Sequence, residues 1–194
     1  IIPHCCFYEC FALLEVTIPN GVTVIEGYCF AFCRCLTEIT IPNSVTEISH
    51  SAFYFCGSLT KIVIPDSVTW MGEQVFSDCS TLTDVTLSEN LTYLNTMCFM
   101  DCSSLESITL PSKVTSLEER CFCGCSKLTN INLTSEINTL GNGCFKNCKS
   151  LTGPLTVAST DIPDECFSGC LALTVVVINY WVKTIGDASF SGCQ

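Results

Sequence analysis

Charge is scarce in this 194-residue chain: 14% of residues are charged, with 8 Lys and Arg against 19 Asp and Glu, for a formal net charge of −11. A surface so poor in cations repels phosphate backbones and anionic lipid, so nucleic acid and peripheral membrane binding are not expected. Long apolar runs are also missing. Val175 to Ile178, followed by Tyr180, Trp181 and Val182, falls far short of the roughly 20 residues of a membrane span. Histidine occurs only as His4 and His50, and neither neighbours a nucleophile motif. G-x-S-x-G, G-x-x-x-x-G-K and H-E-x-x-H are all absent, and Gly141-x-Gly143 is an isolated turn. The expectation is therefore no catalysis and no cofactor, with no catalytic, cofactor-binding or metal residue assigned. The opening Ile1-Ile2-Pro3-His4 has no initiator Met, basic n-region or apolar signal core, which reads as a removed leader or an excised piece.

What is abundant is apolar and periodic. Hydrophobic residues make up 48% of the chain, ample for a continuous core. Phenylalanine recurs at Phe7, Phe30, Phe53, Phe76, Phe99, Phe122, Phe145, Phe167 and Phe190, always 23 residues apart except for one step of 22. Three residues after each comes cysteine: Cys10, Cys33, Cys56, Cys79, Cys102, Cys125, Cys148, Cys170 and Cys193. Three further on stands leucine: Leu13, Leu36, Leu59, Leu82, Leu105, Leu128, Leu151 and Leu173. A period of this length marks a repeat solenoid, here one domain over residues 1–194 with about eight units.

After the leucine the pattern turns to alternation. In Leu36-Thr37-Glu38-Ile39-Thr40-Ile41-Pro42, Ile39 and Ile41 alternate with polar neighbours, the signature of a strand with one buried face. Pro19, Pro42, Pro65 and Pro111 close the strand, since a residue without an N–H can end a ladder but not extend it. An apolar pair three residues apart follows, as in Val45 and Ile48, Val68 and Met71, or Val114 and Leu117. That spacing predicts a tight turn or one-turn 3-10 segment. Strands stacked about 4.8 Å apart would make one parallel sheet of about eight, roughly 40 Å long. Between residues 151 and 166 the pattern slips, and Thr152-Gly153-Pro154-Leu155 predicts a bulge or local break.

The string from Val45 to Pro65, VTEISHSAFYFCGSLTKIVIP, resembles the BspA-like class of leucine-rich repeats. Gly72, Gly141 and Gly186 fall at its glycine position, Ser49 and Asn95 depart from it, and Cys29, Cys98, Cys121, Cys144 and Cys166 replace its alanine. The resemblance implies a right-handed leucine-rich-repeat coil. It also implies a surface or extracellular protein that attaches to host, matrix or microbial proteins.

The eighteen cysteines follow the repeat: nine lie at Phe+3 and six, from Cys6 to Cys166, immediately precede a Phe. Such files read first as small buried hydrophobes. Ladder disulfides are a second reading, although parallel side chains about 4.8 Å apart suit them poorly. Zinc is a third, from Cys5-Cys6, Cys33-x-Cys35 and Cys121-x-Cys123-x-Cys125, none of which has paired C-x-x-C spacing. Cys5, Cys35 and Cys123, outside the files, are the candidates for exposed thiols that pair with each other or another chain. Glu118-Glu119 and Asp161 with Asp164 gather no calcium loop and read as solvated surface.

The outward strand positions form the candidate partner-binding face: Glu15, Thr17, Glu38, Thr40, Lys61, Val63, Asp84, Thr86, Ser107, Thr109, Asn130 and Asn132, grading into apolar Val175 and Val177. Threonine also suits any solvent-facing strand, and interleaved charges argue against an ice-binding lattice. Asn90 and Asn132 begin glycosylation sequons. The chain starts and stops within a unit without a polar cap, and bare ends imply flanking repeats, a partner, or copies stacked into a homo-oligomer or filament. Two functions follow as expectations: a non-catalytic adhesion or protein-binding module using the sheet face, or a structural subunit of a fibre or larger array.

Overall fold

A computed structural model describes all residues, Ile1–Gln194. The chain winds as a parallel β-solenoid without helix. Each coil has three sides, and each side solves the problem of the backbone N–H and C=O groups differently.

The first side is the strand read from the sequence. It comprises β3 (Lys61–Val63), β5 (Asp84–Thr86), β7 (Ser107–Ile108), β9 (Asn130–Ile131), β11 (Leu155–Val157) and β13 (Val176–Ile178), preceded by an isolated parallel bridge between Thr17 and Thr40. Ile62 and Ile64 are buried while Lys61 and Val63 face solvent, so alternation sets which side chains enter the core. The expected continuous sheet of about eight is instead a set of pairs, β3–β5, β7–β9 and β11–β13.

The second side departs from expectation. Its strands are β1 (Val24–Ile25), β2 (Glu47–Ile48), β4 (Trp70–Met71), β6 (Tyr93–Leu94), β8 (Ser116–Leu117), β10 (Thr139–Leu140), β12 (Asp161–Ile162) and β14 (Thr184–Ile185). They pair in parallel as β1-β2-β4, β6-β8-β10 and β12-β14. The apolar pair read as a turn or 3-10 segment thus divides. Its first member sits in a single tight turn, closed by N–H of Val45 to the Pro42 carbonyl and of Val68 to the Pro65 carbonyl (3.0 and 2.9 Å). Its second member, Ile48 or Met71, lies in a strand. An identical coil 23 residues away offers carbonyls in register, so these N–H groups bond across coils rather than along the chain, as Gly72 does to Ile48 at 2.8 Å. Where Pro163 stands in place of such a donor, β10 and β12 are not paired.

The third side, around each Phe, is the most completely bonded. In every one of eight steps between coils, the residues at Phe−2, Phe and Phe+2 donate their N–H to the next coil, as Ser51, Phe53 and Phe55 do to Glu73, Val75 and Ser77 at 2.8, 3.0 and 2.9 Å. Holding that geometry puts the flanking residues in the left-handed region, including Ser51 (φ 54°), Phe55 (φ 58°), Gln74 (φ 56°) and Asp78 (φ 61°). Each costs roughly 1–2 kcal/mol, offset by inter-coil hydrogen bonds of about 1 kcal/mol apiece and by the aromatic burial they permit. The Phe rings stack in single file, with centroids 5.0 to 5.7 Å apart and planes within 12° of parallel. Phe30 through Phe167 are wholly buried in one apolar cluster of 52 residues.

The cysteine file beside the rings is more than filler. Each Sγ–H from Cys33 to Cys193 donates to the carbonyl of the Phe one coil back, at 3.1 to 3.3 Å. A small residue with a weak donor fits a slot where a carbonyl already bonds one N–H and has a lone pair to spare. Cys102→Ala is expected to cost about 1–2 kcal/mol in urea unfolding, and Cys102→Ser less because it keeps a donor. An equal or larger loss for serine would mean that the thiol hydrogen bond contributes nothing.

Between residues 151 and 166 the coil is irregular: β9 and β11 are not paired, and the Gly153–Pro154 peptide is cis. Gly153 passes so close to the next coil that a Cβ there would lie 2.1 Å from the Val175 carbonyl oxygen. The shortened turn places Ser159 in the interior, where its hydroxyl donates to the Asp161 carbonyl at 2.7 Å.

Candidate protein-binding face

The twelve residues Glu15, Thr17, Glu38, Thr40, Lys61, Val63, Asp84, Thr86, Ser107, Thr109, Asn130 and Asn132 are all solvent-exposed on the first side of the solenoid. Register makes them two files, with Lys61 opposite Asp84 and Val63 opposite Thr86, then Ser107 opposite Asn130. Lys61 Nζ meets Asp84 Oδ2 at 2.8 Å, but both side chains are more than half exposed, so this pair orients the face more than it stabilises the fold. No backbone hydrogen bond joins Glu38–Ile41 to Lys61–Ile64. A shallow cleft of about 260 Å³ opens there, with Glu38, Thr40, Asn43, Lys61, Val63 and Pro65 in its lining.

Some of these side chains are already engaged. Asn132 accepts from the Leu110 N–H at 2.7 Å and donates to the Leu110 carbonyl at 3.1 Å, filling in for a missing backbone pair. Asn132→Ala is expected to lower stability by about 1–2 kcal/mol, read as a lower urea midpoint; an unchanged midpoint would leave the clamp without energetic weight. Asn90 donates to the Asp66 carbonyl at 2.8 Å and accepts from Lys113 Nζ at 2.6 Å. A glycan on either sequon asparagine would break such a clamp. At the start of the strand, Thr83, Thr129 and Thr152 donate their hydroxyls to carbonyls one coil back, at 3.0 to 3.1 Å. Threonine there ties coils together, a role that alternation alone does not reveal.

All eighteen cysteines are free thiols. Cys5 and Cys35 are exposed and Cys123 is half-buried, while Cys6, read as a core position, is exposed in the first coil. Burial pushes the interior thiols up, Cys33 to about 11 and Cys29 and Cys170 to about 12. No group of three or more His, Cys, Asp or Glu side chains is close enough to hold a metal ion. The two histidines, 46 positions apart in the chain, come together on the second side with ring centroids 6.2 Å apart. Sequence spacing gave no sign of this, because a gap of two repeats reads as contact only once the intervening Gly27 is seen to supply no side chain.

A helix-free parallel solenoid, with stacked Phe and a leucine-to-proline strand in each 23-residue coil, defines a leucine-rich-repeat protein. Matches to the BspA type leucine rich repeat region span residues 1–118 and 93–194 in six copies. The chain belongs to that family. No curated protein matches it. Among solved structures, a leucine-rich repeat protein from Bacteroides ovatus is 25% identical with a TM-score of 0.75, covering 98% of this chain. The chain spans 61% of that protein's length. The T. pallidum leucine-rich repeat protein is 36% identical with a TM-score of 0.74, over 76% of this chain and 69% of its own. The pneumococcal vaccine antigen PcpA shares the fold at 22% identity and a TM-score of 0.62, over 93% of this chain and 49% of its own. No helix is long and apolar enough to cross a membrane.

Proposed function

We propose that this chain is a non-catalytic protein-binding module of a surface or extracellular protein, and that it engages its partner through the strand face. The observation that carries this reading is the ordered array from Glu15 to Asn132, exposed coil after coil on a backbone that stacking holds rigid. A preorganised array loses little side-chain and loop entropy on binding, which is how solenoids make extended sites. Leucine-rich-repeat proteins are in general non-enzymatic, and neither histidine lies on this face, which supports a binding role over catalysis. Family membership supports the surface setting and a host or matrix protein as partner.

The experiment is surface plasmon resonance against a panel of extracellular matrix proteins, comparing the unaltered chain with Glu38→Lys and with Asp187→Lys, which lies off the face. Glu38→Lys is expected to weaken saturable binding by about tenfold, of the order a desolvated interface charge contributes, with Asp187→Lys close to unaltered. Equal affinities for all three would remove the strand face from the interaction.

A further inference from the structure

Aromatic residues outside the Phe file are unevenly spread. Of the ten, Tyr8, Phe11, Tyr28, Phe32, Tyr54, Phe55 and Trp70 all precede residue 71. The same repeat positions further along carry Asp101, Gly124, Asn147 and Gly169 where Phe32 and Phe55 stand, so the coil itself does not require rings there. Phe32 and Phe55 even hold aromatic side chains at left-handed φ (62° and 58°), a conformation bulky residues rarely adopt.

Next to this belt, on the second side, lies an open groove of about 530 Å³ whose lining includes Ile1, His4, Glu26, Glu47, His50 and Trp70. Its construction is specific. Glu47 and Trp70 are direct neighbours in the parallel ladder and project from the same file. Gly27 lets the His50 ring lie directly against the neighbouring coil: a Cβ there would meet that ring at 2.6 Å. Tyr28 buttresses both imidazoles edge-on, at 5.7 Å from His4 and 5.2 Å from His50. Glu26 accepts from the backbone N–H of His4 at 2.8 Å, and Glu47 accepts from the Ser49 hydroxyl at 3.0 Å.

No lysine or arginine lines the groove, and the three ion pairs of the molecule, Lys61–Asp84, Arg120–Glu119 and Lys146–Glu165, lie elsewhere. Two carboxylates therefore face an aromatic-walled groove without a lysine or arginine side chain, in a chain of net charge −11. Carboxylates and π faces attract the same group, an ammonium or guanidinium. Arg34 demonstrates the preference within the molecule, its guanidinium lying 5.2 Å from the Phe55 ring centroid and 5.3 Å from that of Phe11. We propose that the groove receives a lysine or arginine side chain projecting from a protein partner, forming a docking site separate from the strand face.

The test uses the Trp181→Phe variant, in which Trp70 is the one remaining tryptophan. Its fluorescence is titrated at low salt with the acetylated, amidated tripeptides Gly-Arg-Gly and Gly-Lys-Gly, and with Gly-Gln-Gly as the neutral counterpart. A saturable change is expected with the two cationic peptides and not with the neutral one. Glu26→Gln and Glu47→Gln should each weaken it by about fivefold, while Asp161→Asn, outside the groove, leaves it unchanged. Urea unfolding of each variant, followed by circular dichroism, confirms that the fold is retained. A response of equal strength to the neutral peptide, no saturable response to either cationic one, or full retention in both glutamine variants would each overturn the proposal.

Discussion

Phe99→Ala is expected to lower the unfolding free energy by about 3–5 kcal/mol, the usual loss for a fully buried aromatic that leaves a cavity. Phe99 is wholly buried and stacks on Phe76 and Phe122, both 5.5 Å away. Removing it strips one face from each neighbour. A solenoid's stability is approximately a sum over coils and the contacts between adjacent ones, so a weakened middle contact also weakens the coupling between the two halves. Urea unfolding should shift to a lower midpoint and broaden as the halves uncouple. Phe190→Ala, at a partly buried ring with one stacking neighbour in this chain, should cost less than half as much. Equal losses at the two positions, or a loss below about 1 kcal/mol at Phe99, would show that the file of rings is not what couples the coils.

A rise in pH should unfold the protein abruptly just above pH 9. Eight deeply buried thiols, Cys56, Cys98, Cys102, Cys121, Cys125, Cys144, Cys148 and Cys166, are all held above the ordinary value of 9.0, chiefly by burial, with a thiol neighbour leading for Cys56. Below pH 9 folded and unfolded chains both keep these protons, and stability is full. Above it the unfolded chain releases protons that the folded chain retains, so stability falls as pH rises toward the folded values. Each thiol contributes up to about 1.4 kcal/mol per pH unit. All eight acting together reach about 11 kcal/mol over one pH unit, comparable with the roughly 5–15 kcal/mol that holds a typical domain folded. Circular dichroism against pH under reducing conditions should therefore show a cooperative transition within about one unit above pH 9. A fold intact at pH 11 would refute this account. The exposed Cys5, Cys6 and Cys35 should react with an alkylating agent at neutral pH, and the buried thiols only with denaturant.

Much of the architecture is legible in the chain. The 23-residue spacing from Phe7 to Phe145 places one ring per coil, and alternation at Ile39 and Ile41 assigns the buried face of the strand. The slip at Gly153-Pro154 marks one of the places where the first ladder is interrupted, between β9 and β11. Less legible was whatever depends on a neighbour one coil away. The strand at Glu47–Ile48 looked like a turn because a two-residue strand has no internal periodicity to detect. The left-handed pairs around each Phe were signalled only in the later coils, by Gly124, Gly143, Asn147 and Gly169, whereas Cys5, Phe32, Gln74 and Met97 carry none of the glycine or asparagine signals of that conformation. Of the candidate face, exposure followed from alternation, but the clamp of Asn132 on Leu110 did not, since it replaces a hydrogen bond missing from the adjoining coil.

By itself the sequence determined the period, the residues that face inward and the kind of fold, because burial of a repeated apolar pattern has few solutions once its spacing is set. The tertiary structure decided which polar groups are spoken for: which carbonyl each thiol meets, which asparagine is a clamp, and that His4, Glu47 and Trp70 share one groove. Hydrophobic burial is non-directional and can be read from pattern, whereas hydrogen bonds and ring contacts depend on distance and angle between coils, which exist only when the coils are stacked.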